Sequence, residues 1–243
     1  MPATEGTLLG GRLRYAQPAD GFRSGIEPVL LAAAIPARPG ERVLEAGSGA
    51  GAALLCLAAR VPGIVGLGVE IDPALAVLAN ANAQANGLAT LRFVAGDITA
   101  PASLGRFDHA CANPPYHPAS GTPSPMPARA AAKIAQPALL PAWIAALAGA
   151  VRPRGTVSLI LPVTMVPICL GALAGAGCGS PHLLPLWPRA GRPAKLALLQ
   201  AVRGGRGPFQ LLAGLVLHDH SGFTAEADAI LRHAAALALQ KSA

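Results

Sequence analysis

Charge is scarce in this chain, and acid is scarcer than base. Only 13% of the 243 residues are Asp, Glu, Lys or Arg, and 12 acids stand against 19 Lys and Arg, a net charge of +7. With 52% hydrophobic residues, so thin a charge set excludes a disordered or solvating segment. The one-signed excess points to an anionic partner or simply to solubility. Aromatics are 4%, so a core must be built mainly from Ala, Leu and Val. Cys56, Cys111, Cys169 and Cys178 make no C-x-x-C spacing. That argues against a zinc or disulfide framework and for reduced, buried thiols in a cytoplasmic protein. Met1 to Gly11 lacks a basic head and apolar run, so no signal peptide is expected. The long uncharged run from Gly155 to Gly179 is interrupted by Pro162, Pro167 and four glycines; a strand, a turn and a short helix are expected there, not a membrane span. His117, His218 and His220 are expected to be loop histidines, with no metal site.

The densest signal runs from Glu41 to Asp72. Arg42 to Glu45 reads as a short parallel strand, Ala46-Gly47-Ser48-Gly49-Ala50-Gly51 as a glycine-rich turn, Ala52 to Arg60 as a helix and Gly66 to Glu70 as the next strand. This is a βαβ unit, with a right-handed crossover expected. Glycines let a backbone approach a ligand, and an acid after the second strand suits a ribose hydroxyl pair. Gly47-x-Gly49-x-x-Ala52 also satisfies the dinucleotide fingerprint. Two acids favour S-adenosylmethionine (SAM). Glu45, just before the glycines, suits a cationic sulfonium or amino group and would repel a pyrophosphate. Asp97 comes after a third expected strand, Leu91 to Val94.

Pro73 to Asn86 reads as a helix with Pro in its first turn and Asn86-Gly87 as its stop. Phe107 to Ala112 reads as a buried fourth strand that delivers Asn113-Pro114-Pro115-Tyr116 at its carboxyl end. Two prolines stop the strand and stiffen the backbone after it. The turn then offers a side-chain amide, a carbonyl with no ladder partner and an aromatic face, a set suited to a planar group bearing –NH2. Ligands of open α/β sheets bind at such carboxyl ends.

Pro118 to Pro127 is expected to be a loop beside the site. Further on, helices are expected at Leu139 to Val151 and Val166 to Leu173, a fifth strand at Gly155 to Leu161, and an antiparallel edge pair at His182 to Trp187 and Leu196 to Val202. A last strand-like run covers Leu211 to Leu217, and a terminal helix Glu226 to Leu239. Residues 1 to 40 read as turn-rich, with a helix from Val29 to Ile35. Arg189, Arg192, Lys195, Arg203 and Arg206 bracket one expected strand with no acid between them, a candidate RNA-binding stretch that Arg12, Arg14 and Arg23 extend.

The order glycine-rich turn, acid, acid, Asn-Pro-Pro-Tyr resembles the class I SAM-dependent amino-methyltransferases. In particular, the chain resembles the bacterial family that methylates adenosine N6 in valine tRNA beside the anticodon. Phe22 to Glu27, Leu30 to Ala32, Trp187 to Lys195 and Leu217 to Thr224 carry that likeness at the flanks. The resemblance implies a Rossmann-like, doubly wound, mostly parallel seven-stranded sheet with an antiparallel edge strand. It implies one domain over 1–243, made of an N-terminal extension (1–40), a SAM-binding core (41–203) and a C-terminal extension (204–243). Glu45, Gly47, Ser48, Gly49 and Gly51 would line SAM. Glu70 would bind its ribose and Asp97 its adenine amino group, with Ile71, Ile98 and Asn113 also among the cofactor contacts. Asn113, Pro114, Pro115 and Tyr116 would form the catalytic turn, and RNA, in particular tRNA, would be the partner. Two other readings stay open: a protein glutamine N-methyltransferase, whose side-chain amide presents the same –NH2, and a non-catalytic SAM- or dinucleotide-binding module.

Overall fold

The computed structural model describes residues 2–20, 24–100, 105–114 and 136–239, side chains of 136–138 excepted. The chain opens with β1 (Ala3–Leu8) and β2 (Leu13–Pro18), an antiparallel hairpin where only turns were expected. Gly10 and Gly11, both at positive φ, supply the bend. The signal was weak because β1 is half polar and mostly exposed.

Next come α1 (Glu27–Ala34), β3 (Arg42–Ala46), α2 (Ala52–Arg60), β4 (Val65–Glu70), α3 (Pro73–Ala85), β5 (Leu91–Ala95) and β6 (Phe107–Ala112). After the undescribed stretch stand α4 (Gln136–Ala150), β7 (Val151–Pro162), α5 (Val166–Gly175), β8 (Cys178–Arg189) and β9 (Leu196–Arg203). β10 (Gln210–Leu211), β11 (Leu215–His218) and α6 (Ala225–His233) close the order. The uncharged run is thus strand, turn and helix. Among the described residues no helix is long and apolar enough to cross a membrane.

The main sheet runs β10-β8-β9-β7-β6-β3-β4-β5, with β11 also on β8. β3, β4, β5, β6 and β7 are mutually parallel. β9 is antiparallel to both β7 and β8. The expected edge pair therefore exists, with its antiparallel member slotted inward between β7 and β8. The expected run from Leu211 to Leu217 divides into two short strands on one edge of β8. They extend the seven long strands to nine. The break falls at Gly214, at φ +90, where a Cβ would lie 2.3 Å from Trp187 Nε1.

The central strands β3, β6, β7 and β9 alternate between two cores. Val43, Cys111, Ile160 and Leu198 pack under α1 and α2, whereas Leu44, Ala110, Leu159 and Leu199 pack under α4 and α5. Helices on both faces of a parallel sheet bury its strands completely. α6 ends earlier than expected because Ala234 takes the left-handed conformation at its C-cap.

One helix also stands in for a strand. Asn82 Oδ1 accepts the Ala16 N–H at 2.8 Å, and its Nδ2 donates to Ala16 O at 2.8 Å. Asn86 treats Arg14 the same way, at 2.9 and 2.8 Å. Four residues along a helix advance about 6 Å, and two along a strand about 6.6 Å. The matched spacing lets α3 satisfy the free edge of β2. Asn80 does the same for the sheet edge, bonding both N–H and C=O of Phe93.

Candidate active site

The site is built at the carboxyl ends of β5, β4, β3 and β6, which are consecutive neighbours in the sheet. Four strand ends span about 14 Å at the usual inter-strand spacing. They present, in order, Asp97, Glu70, Glu45 and Asn113.

The glycine-rich turn folds back over β4. Gly47 and Ser48 both donate to Val69 O, at 2.8 and 3.3 Å, and Gly51 donates to Ser48 O at 2.8 Å. Gly47 sits at φ +64, and a Cβ there would lie 2.8 Å from the Trp143 ring of α4. Gly51, at φ +91, would meet Phe93 at the same distance. Neither position tolerates a side chain. At Gly49 a Cβ would find no atom within 4 Å, so the middle of the turn lies open to a ligand. Asn82 also donates to Ala50 O at 3.0 Å, which ties the turn to α3 and, through Ala16, to the N-terminal hairpin.

Glu70 is buried, and its carboxylate is already aligned: Oε2 accepts Gly49 N–H at 2.8 Å and Oε1 accepts Asp72 N–H at 3.1 Å. Gly96 N–H donates to Glu70 O at 2.8 Å, which holds the Asp97 loop beside it. Asp97 itself is exposed and lies two residues past β5. Its Oδ1 accepts both the Thr99 hydroxyl and the Thr99 N–H, at 2.7 and 2.8 Å, and these bonds hold its carboxyl below the usual range. Ile98 is buried in the α4 core, whereas Ile71 is 73% exposed.

Glu45 is the most enclosed of the acids. It is 3% exposed, and its Oε2 accepts the Leu54 N–H at 3.3 Å, in the first turn of α2. Burial pushes its pKa up to about 8; the Leu54 bond opposes that shift and the nearby Glu70 adds to it. Tyr15 and Cys56 lie within its field, and burial raises both groups, the Tyr15 phenol to about 12. Tyr15 Oη bonds Ser24 Oγ at 2.8 Å, and Ser24 N–H donates to Gln17 at 3.1 Å. Ser48 is buried, its Oγ has no hydrogen-bond partner among the described residues, and it faces Gly68 of β4.

Asn113 is half-buried and Pro114 buried, immediately after the fully buried β6. Pro115, Tyr116 and the loop at 118–127 lie outside the described residues, as does Arg23.

β9 divides the basic stretch. Arg189 ends β8, and Arg192 and Lys195 belong to the β8–β9 turn, all at the site end of the sheet. Arg203 and Arg206 lie at its other end, about 25 Å away along the strand. Arg203 donates to Ala176 O and so caps α5. Arg12 is tied to His233 O at 3.1 Å beside α6.

A second titratable group occupies the opposite, amino ends of the strands. His109 lies 2.8 Å from Thr156 Oγ1 and 3.0 Å from Glu41, and Arg152 pairs with Asp108 at 2.5 Å. It locks β6 and β7 to the start of β3.

Asn82, Trp143 and Phe93 also shape the glycine-rich turn, although no sequence motif points to them. Each acts across a long sequence separation, and nothing near it in the chain marks it.

A family model for the methyltransferase small domain matches residues 26–136. The chain is 42% identical over 81 residues to the release factor glutamine methyltransferase of Rhodospirillum rubrum, a match covering 33% of this chain and spanning only 25% of that protein's length. It is 31% identical over 184 residues to the tRNA1(Val) (adenine(37)-N6)-methyltransferase of Aeromonas hydrophila, covering 75% of this chain and 78% of that one. A crystal structure of a predicted O-methyltransferase from Agrobacterium tumefaciens superimposes with a TM-score of 0.75 at 25% identity, over 89% of this chain and all of that chain. With a class I methyltransferase fold and a relative matched over most of both lengths, the chain belongs to the tRNA1(Val) (adenine(37)-N6)-methyltransferase family.

Proposed function

We propose that this protein is a SAM-dependent methyltransferase acting on the exocyclic N6 amine of an adenine in RNA, specifically tRNA. The observation that carries the reading is the row of strand ends: an open glycine turn flanked by Glu45, Glu70 and Asp97, with Asn113 on the adjacent β6. SAM suits these residues. The turn leaves room at Gly49, the Glu70 carboxylate is pre-aligned for a hydroxyl pair, and Glu45 supplies the carboxyl a cationic group would face. When bound, SAM supplies an electrophilic methyl group.

An adenine amine is a weak nucleophile because its lone pair is delocalised into the ring. Asn113 Oδ1 and the Pro114 carbonyl accept its two hydrogens. That localises the lone pair and stabilises the charge that develops on nitrogen. Because β6 is buried on both faces, the acceptors are held before the substrate arrives, and positioning supplies much of the acceleration. Tyr116 stacks on the target base, taken out of its own stack. The basic β8–β9 turn receives phosphates.

The test is methyl transfer from labelled SAM to tRNA, followed by identification of the labelled nucleoside. N6-methyladenosine is expected. Asn113→Ala should keep SAM affinity and lose about 10²- to 10³-fold in kcat. Label in protein glutamine and none in RNA would overturn the reading.

A further inference from the structure

Beyond the target-base turn, the site end of the sheet carries a second recess. It measures about 430 Å³ and is lined by Trp187, Ala190, Gly191, Arg192, Pro193 and Val216. We propose that this groove takes an unstacked nucleobase of the RNA substrate other than the methylated adenine, with the neighbouring phosphates on Arg189, Arg192 and Lys195. The proposal rests on the RNA reading above and adds a nucleotide subsite to it.

The sheet explains why the groove exists. Trp187 and Val216 are register partners on β8 and β11. Leu183, on the same face of β8 as Trp187, packs against the α4 and α5 core, but Trp187, four residues on, does not. The indole is half-buried, and its Nε1 already donates to Ala213 O at 3.1 Å. What it still offers a ligand is hydrocarbon and π-surface. Gly191, at φ +72, adds no side chain to the turn, and Pro193 stiffens it.

Charge around the groove favours a polyanion. Arg189, Arg192 and Lys195 are all exposed there. The nearby acid, Asp219, spends Oδ1 on the Ser221 N–H and hydroxyl, and Arg189 donates to the Asp219 backbone carbonyl. An aromatic platform rimmed by cations is the arrangement that holds unstacked single strands. A bare apolar peptide would bring no charge to Arg192 and Lys195.

Position agrees with this. β8 and β7 are both antiparallel to β9, so β8 ends on the same side of the sheet as β6 and Asn113. Three strand spacings, about 14 Å, separate them, a gap that a few nucleotides cross.

The experiment is steady-state methylation of a tRNA transcript by the whole chain, with SAM affinity measured in parallel. Trp187→Leu should raise KM for tRNA by about 5- to 150-fold, the range that loss of one base stack produces. Trp187→Phe should raise it less, and the SAM Kd should stay constant. Ala190→Glu, at an exposed rim position that leaves the fold alone, should also raise KM for tRNA. Arg192→Ala should reduce the salt slope by about 0.7 to 0.9. If the wild type methylates tRNA and Trp187→Leu and Ala190→Glu share its KM, the groove holds no base and the proposed function stands. If the wild type methylates no RNA, or the variants impair only a protein substrate, both inferences fall.

Discussion

Replacing Asn82 with Ala removes three hydrogen bonds that join α3, the N-terminal hairpin and the glycine-rich turn. Asn82 is 3% exposed and Ala50 is 5% exposed. Water therefore cannot take over the Ala50 carbonyl, and a buried polar group left alone costs about 1–3 kcal/mol. The two Ala16 groups are half-buried and partly re-solvate, adding about 1 kcal/mol. The total expected loss is about 2–4 kcal/mol, a fall in Tm of roughly 5–15 °C for a chain of this size. Asn82→Asp should be no better: it keeps an acceptor for Ala16 N–H but turns a carboxylate toward two carbonyls. Asn86→Ala, on the more exposed rung of the ladder, should cost under about 1 kcal/mol. Urea unfolding of the three variants gives the comparison. Because Ala50 belongs to the turn, SAM affinity should fall with Asn82→Ala and not with Asn86→Ala. Equal stabilities for the two Ala variants, or an Asn82→Ala loss below roughly 0.5 kcal/mol, would refute the account of how this turn is held.

Gly47→Ala should destabilise the protein by about 1–3 kcal/mol through strain at φ +64, and Trp143→Leu should relieve only the steric part. Glu45 has its folded pKa raised to about 8 from 4.5. Its contribution is therefore fully present below pH 4.5 and lost as pH rises through 8. Glu45→Gln should flatten that dependence in urea midpoints, and SAM binding near pH 7 should release a proton, read by calorimetry in buffers of different ionisation enthalpy. His109 has its pKa lowered, chiefly by burial; its contribution is present above about pH 6.5 and lost as pH falls toward the folded value, a loss that His109→Gln should not show. Arg206→Ala should leave the salt slope of tRNA binding unchanged, whereas Arg192→Ala with Lys195→Ala should flatten it by roughly one to two units.

The local grammar of this sequence set most of the sheet. β6 and α2 carry the residue bounds expected of them, because an apolar run stopped by Asn113-Pro114 and a run of helix formers after Gly51 are each decided within a few residues. The order of acids and glycines at strand ends was legible for the same reason: in a parallel sheet, the residues just after a strand stand at its carboxyl end. Three features were settled only by packing. The N-terminal hairpin forms because Asn82 and Asn86, some 70 residues away, satisfy its free edge; β1 has little apolar surface of its own to announce it. β9 inserts between β7 and β8, so five cations adjacent in sequence are parted to opposite ends of the sheet. And Glu45, read as a charge facing a ligand, is enclosed deeply enough to hold its proton near neutrality, because burial disfavours the ionised form more than one backbone N–H restores it.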